Sequence, residues 1–199
     1  MRPIIAILRG ITPPEAEVHA AVLVGAGIAR IEVPLNSPDA LDSIEAIAKA
    51  QGGAALVGAG TVLSMEDVAH VYRVGGRLIV SPNADKGVIY ATRSLGMDSW
   101  PGVFTPSEAF AALRWGATGL KLFPASTGGP AHLKAMMAVL PEGTEVYAVG
   151  GAGPENFADW RAAGAAGFGL GTSLYRPGQS PDETAANARA AVAAWDALT

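Results

Sequence analysis

The chain has no cysteine. That excludes disulfides, thiolate zinc sites and a cysteine nucleophile. Positive charge is also scarce: Lys and Arg together number 14 against 18 Asp and Glu, for a net charge of −4. The basic residues are scattered, with no basic block, basic helix face or interleaved aromatics, so no nucleic-acid partner is expected. No apolar run approaches the ~20 residues that span a bilayer. Met1-Arg-Pro-Ile-Ile runs straight into a strand pattern without signal-peptide features, so the expectation is a cytoplasmic protein with no membrane partner. His19, His70 and His132 fall in helical patterns and lack metal-ligand spacing, so no metal site is expected. Gly58-Ala-Gly60 lacks the third glycine of a dinucleotide loop, which argues against a nicotinamide cofactor. What the chain does have is apolar residues, half of its 199. That is ample for a core, and the length suits one domain over 1–199.

Pro3-Ile-Ile-Ala-Ile-Leu8 is a near-continuous apolar run of the kind found in strands buried on both faces. Thr12-Pro-Pro-Glu15 then gives an N-cap followed by proline at the first helical turn. The same alternation recurs along the chain. Strand patterns lie at 29–33, 55–59, 77–80, 97–101, 118–124, 145–149 and 167–171, with helix starts signalled at Ser37, Ser64, Thr105 and Ser180. Further helices are expected at about 85–95, 129–140 and 154–163. These make eight strand–helix units at a spacing of about 24 residues. Repeated units of this kind predict an α/β protein, a single (β/α)₈ TIM barrel, rather than an open doubly wound sheet.

In such a barrel the working face lies at the carboxyl ends of the strands. Arg9, Glu32, Thr61, Lys121, Gly150-Gly151 and Gly171-Thr172-Ser173 all fall there. Trp100, at the end of the fifth strand, is also placed near the mouth, whereas the other tryptophans sit at helix positions. Lys121 stands in the middle of a strand between Leu120 and Leu122, where burial of a cation is expensive. Either it meets a carboxylate in a structural ion pair, with Glu32 the candidate, or it is kept neutral as an amine nucleophile. Neutrality at pH 7 requires ~4–5 kcal/mol of desolvation or like-charge pressure. Apolar flanks, and Arg9 across the mouth, act in that direction. Glu32 is then suited to general acid–base work, and Arg9 to gripping a carboxylate or phosphate. The glycine loops after the last two strands either make tight turns or hold phosphate on backbone N–H groups; their adjacency favours phosphate.

Several segments, in order over nearly the whole chain, resemble the KDPG/KHG aldolase family. They are Ile7-Leu-Arg-Gly-Ile11, Ile31-Glu-Val-Pro-Leu-Asn-Ser-Pro38, Gly58-Ala-Gly-Thr-Val-Leu63, Leu120-Lys-Leu-Phe-Pro124 and Ala148-Val-Gly-Gly151. Two positions depart from the gluconate-type members. Pro34-Leu35-Asn36 stands where those read Thr-Leu-Arg, and Val149 stands where they carry threonine. Galactonate-type members share both departures. The resemblance implies a metal-free, cofactor-free class I aldolase that splits a phosphorylated 2-keto-3-deoxy sugar acid into pyruvate and D-glyceraldehyde 3-phosphate. It further implies that Lys121 forms the Schiff base and Glu32 shuttles protons. Arg9 and Thr61 would contact substrate, while Gly150, Gly151, Gly171, Thr172 and Ser173 would hold its phosphate. A homotrimer is implied as well. Two rival readings remain at this point: a phosphosugar isomerase or epimerase using Glu32 without an imine, and a non-catalytic phosphosugar-binding protein.

Overall fold

The computed structural model describes residues 2–198. The apolar runs form parallel strands: β1 (Ile4–Ile7), β2 (Arg30–Pro34), β3 (Leu56–Gly60), β4 (Leu78–Val80), β5 (Asp98–Trp100), β6 (Gly102–Val103), β7 (Leu120–Leu122), β8 (Val146–Val149) and β9 (Gly167–Leu170). The helices between them are α1 (Pro13–Ala26), α2 (Ala40–Gln51), α3 (Met65–Arg73), α4 (Lys86–Ser94), α5 (Pro106–Arg114), α6 (Ala125–Met137), α7 (Phe157–Ala162) and α8 (Pro181–Asp196). The sheet order is β5-β4-β3-β2-β1-β9-β8-β7-β6. Only Pro101 separates β5 from β6. Proline has no N–H to give to a ladder, so it splits one extended segment into two short strands. Ser81 N–H donates to the Trp100 carbonyl (3.2 Å) on one side, and Lys121 N–H donates to the Pro101 carbonyl (2.9 Å) on the other. The segment thereby closes the barrel, as the eightfold repeat predicts, and the ninth strand is a consequence of that proline.

Most helix starts follow the capping signals. The hydroxyls of Ser64, Thr105 and Ser180 each accept from the backbone N–H three residues on, and an acidic side chain there reaches back to the cap. Ser37 does not. α2 begins after Asp39, whose backbone is left-handed at φ 42°. The Ser37 hydroxyl instead accepts from Gly10 N–H at 2.9 Å, tying the loop after β2 to the loop after β1. In α6 the backbone breaks at Gly129 (φ 70°, ψ 175°), and Pro130 restarts the helix close to the predicted boundary.

Alternate strand residues separate two apolar regions. Ile4, Ala6, Leu8, Ile31, Val33, Leu120 and Leu122 face the helices in the large outer core. Ile5, Leu78, Val80, Trp100 and Tyr147 pack together inside the barrel. Arg30 joins that inner cluster: its guanidinium donates to Tyr147 Oη and lies 5.9 Å from the Trp100 ring centroid. Trp100 is thus not at the mouth. Because the segment continues past Pro101, Trp100 falls at the lower level, its ring against Gly119, which precedes β7. The aromatic cluster plugs the floor and leaves the upper lumen for polar groups.

Candidate active site

β7 places Lys121 inward and its leucine neighbours outward. The side chain is 7 % exposed, and its Nζ lies 4.6 Å from the Phe123 ring centroid. Phe123 shares the inward parity of Lys121, so the amine has an aromatic wall. Burial lowers the lysine pKa; the Glu32 carboxylate opposes this and the Arg9 guanidinium adds to it. Glu32 enters from β2 and is 2 % exposed. Burial raises it to about 7, against the attraction of Lys121 first and Arg9 second. Its Oε2 is buried without a hydrogen-bond partner among the described residues. A methyl group at Gly60, on β3, would overlap that carboxyl, so the glycine is what gives Glu32 its space.

A cavity of about 530 Å³ opens above this pair, within the range of small-ligand sites. Arg9, Lys121, Gly150, Gly151, Gly171, Thr172 and Ser173 all line it, coming from β1, β7, β8 and β9 or the turns after them, which are neighbours in the sheet. The lumen-facing Gly169 keeps it wide, since a methyl there would come within 2.7 Å of Val149 Cγ2. Gly151 has φ 86°, and a Cβ would sit 2.7 Å from Ser126 Cβ, so this turn requires glycine. Asn156 braces it, donating to the Gly151 carbonyl (2.9 Å) and accepting from Gly153 N–H (3.1 Å). After β9, the Gly171 carbonyl accepts from Leu174 N–H (2.8 Å) and Tyr175 N–H (2.9 Å). The N–H groups of Gly151, Thr172 and Ser173 donate to no protein acceptor among the described residues. Unused donors on two adjacent turns suit an anion.

The sequence candidates are therefore brought together with two qualifications. Glu32 lies below the cavity wall and communicates with Lys121 electrostatically. Thr61, left-handed at φ 55°, follows β3 but does not line the cavity. Arg9 is exposed, and its Nη1 donates to Asn36 Oδ1 at 2.7 Å. Sequence reasoning missed Glu155, Tyr175, Arg176 and Pro177, which complete the lining. They stand beyond the glycine turns, where only the position after the last strands could have pointed to them. The histidines take structural contacts: His19 meets Thr184 Oγ1 at 2.9 Å and His132 the Phe104 carbonyl at 2.7 Å. Among the described residues, no group of three or more His, Asp or Glu side chains is arranged to hold a metal ion. Among the described residues, no helix is long and apolar enough to cross a membrane.

An amine pressed toward neutrality beside a buried carboxyl, near two turns with unused N–H donors, is chemically suited to carbonyl addition. The chain is 52% identical over 97% of its length to 2-dehydro-3-deoxy-6-phosphogalactonate aldolase of Escherichia coli, covering 94% of that protein. It is 51% identical over 99% of its length to a probable aldolase of the same name from Rhizobium meliloti, covering 93% of it. A solved native KDPGal structure superposes with a TM-score of 0.97 at 50% identity, covering all of this chain and 98% of that one. The family model for KDPG and KHG aldolase matches residues 1–187, and the chain belongs to that aldolase family.

Proposed function

We propose that this chain cleaves 2-dehydro-3-deoxy-6-phosphogalactonate to pyruvate and D-glyceraldehyde 3-phosphate through a Schiff base on Lys121. The observation that carries the reading is the buried Lys121 amine, held below its ordinary pKa by desolvation and coupled to Glu32. The half-identical relatives that carry this activity in their names support the galactonate epimer. The Lys121 lone pair adds to the C2 carbonyl, and loss of water leaves an iminium. Glu32 accepts the C4 hydroxyl proton as the C3–C4 bond breaks, and the bonding pair passes into the enamine. Glyceraldehyde 3-phosphate departs. A proton returned to C3 and hydrolysis of the imine free pyruvate and the amine. A pKa of about 7 lets Glu32 accept and return protons at neutral pH. Arg9, steadied by Asn36, holds the substrate carboxylate. Thr61 contacts substrate from the rim, and the turns at Gly150-Gly151 and Gly171-Thr172-Ser173 receive the phosphate.

The same reading has the chain act as one domain over 1–199, in the cytoplasm, as a homotrimer. Leu63 and Met65, 56 % and 61 % exposed at the start of α3, support a subunit contact there. Light scattering should give the mass of three chains. The decisive experiment is borohydride reduction with pyruvate, followed by mass spectrometry, together with pyruvate release from the galactonate and gluconate epimers side by side. An adduct on Lys121 and faster release from the galactonate epimer are expected. Turnover without any adduct would mean that no imine forms and would rule out the mechanism.

A further inference from the structure

Arg176 lies in the segment after β9 and lines the cavity alongside Thr172 and Ser173. Its Nε donates to the Thr172 carbonyl at 3.1 Å, which fixes the root of the guanidinium against the turn. Both Nη groups remain without a protein acceptor among the described residues, and no carboxylate pairs with the side chain. The turns themselves offer only neutral N–H donors, while the exposed carboxylate of Glu155 stands on the same cavity. A phosphate dianion seated there would meet one like charge and no counter-charge from the turns. Arg9, after the strand next to β9, also lines the cavity, but its Nη1 is already bonded to Asn36 Oδ1 and the reading above gives it to the substrate carboxylate. A fork-shaped cation anchored by one nitrogen, with two donors free, matches the geometry of phosphate oxygens.

We propose that Arg176 is a phosphate-positioning residue that sets selectivity for phosphorylated over unphosphorylated 2-keto-3-deoxy acids. This rests on the aldolase reading above. The guanidinium bonds the phosphate oxygens charge to charge and offsets Glu155, so the contribution falls on substrate capture. The bond that breaks, C3–C4, lies in the middle of the carbon chain and not at the phosphorylated carbon.

The test compares wild type, Arg176→Ala and Arg176→Lys on 2-dehydro-3-deoxy-6-phosphogalactonate and on its dephosphorylated counterpart. Inorganic phosphate is titrated into each protein without substrate. For Arg176→Ala, KM for the phosphorylated acid should rise about ten-fold or more, with little change in kcat. The ratio of kcat/KM between the two acids should fall by the same factor, and inorganic phosphate should bind correspondingly more weakly. Arg176→Lys should recover part of the loss, as a point charge without the fork. Equal losses on both acids would assign Arg176 a purely structural part, and no loss on either would dismiss it; both outcomes overturn the proposal. If wild type traps no pyruvate on Lys121, the aldolase reading falls on its own. Phosphate binding then decides: equal affinity in wild type and Arg176→Ala overturns the proposal, and weaker affinity in the variant upholds the anion contact.

Discussion

Replacing Glu32 with glutamine should stabilise the protein while nearly abolishing turnover. Glutamine keeps the shape beside Gly60 and removes the ionisation. The carboxyl has a value of about 7 in the fold against 4.5 for the free group, with burial as the main cause. Between those two pH values the unfolded chain has lost this proton and the native chain keeps it. Native stability therefore falls as pH rises through the window, by at most ~1.4 kcal/mol per pH unit. A gap of about 2.5 gives roughly 3 kcal/mol in all. The variant carries no such cost. Its advantage should be near zero at pH 4.5, grow to about 3 kcal/mol by pH 8, and stay level above. For a chain of this size that is about 6–12 °C in Tm. Urea unfolding at half-unit pH steps measures it. Turnover should drop by ~10²–10⁴, the range for loss of a general base. Borohydride trapping of pyruvate on Lys121 should persist and extend to lower pH, because Glu32 is what holds the lysine pKa up. A stability difference that is flat with pH, or that favours wild type at pH 8, would refute the buried, titrating carboxyl.

Two further substitutions probe the same centre. Lys121→Met should trap no pyruvate yet unfold at higher urea concentration than wild type. Because the folded amine titrates below its ordinary value, the cost of charging it is largest at low pH and vanishes above about 10.5; urea midpoints at pH 6 and pH 10 check this. Gly60→Ala should lower stability by about 1–3 kcal/mol and turnover more than ten-fold. The new methyl displaces the Glu32 carboxyl, and pyruvate trapping on Lys121 should survive as the sign that the barrel still forms.

How much of this was legible in the chain depends on which rule each residue breaks. Lys121 and Glu32 announce themselves because a charge within an aliphatic strand violates the simplest rule of burial. The glycine turns are visible because they fall at strand ends. Closure of the barrel followed from counting units. Trp100 was misplaced for a definite reason. A strand ending at Pro101 would put Trp100 at the mouth, whereas the ladder resumes at Gly102, which lowers Trp100 to the barrel floor beside Tyr147. Ser37 carries the same cap-then-proline signal as its counterparts, but a donor from another loop, Gly10 N–H, captured its hydroxyl. No local pattern records such a partner. Gly60 looks like any strand-end glycine until the carboxyl from the neighbouring strand is in view. Arg176 lies five residues beyond the first glycine of its turn, a separation that chain order alone does not close.

In the mechanism proposed above, the charges around Glu32 also set when it acts. Lys121 influences the carboxyl more than Arg9 does, and both favour its ionised form. In the free enzyme desolvation pushes Lys121 toward a neutral amine, which withdraws the larger of the two attractions. Carbonyl addition and loss of water turn that nitrogen into an iminium, a cation that cannot be discharged while the adduct lasts. Glu32 then loses its proton more readily, in time to receive another from the C4 hydroxyl. The substrate carboxylate, bound at Arg9, works the other way by cancelling a positive charge, but it cancels the weaker of the two. The net shift is downward. The acid limb of kcat, which reports the bound enzyme, should therefore fall at lower pH than the acid limb of kcat/KM, which reports the free enzyme. Parallel pH profiles with the phosphorylated galactonate acid decide the point. An acid limb of kcat at or above that of kcat/KM would mean that the nitrogen does not become the dominant cation beside Glu32, and that the proton leaves the carboxyl by some other cause.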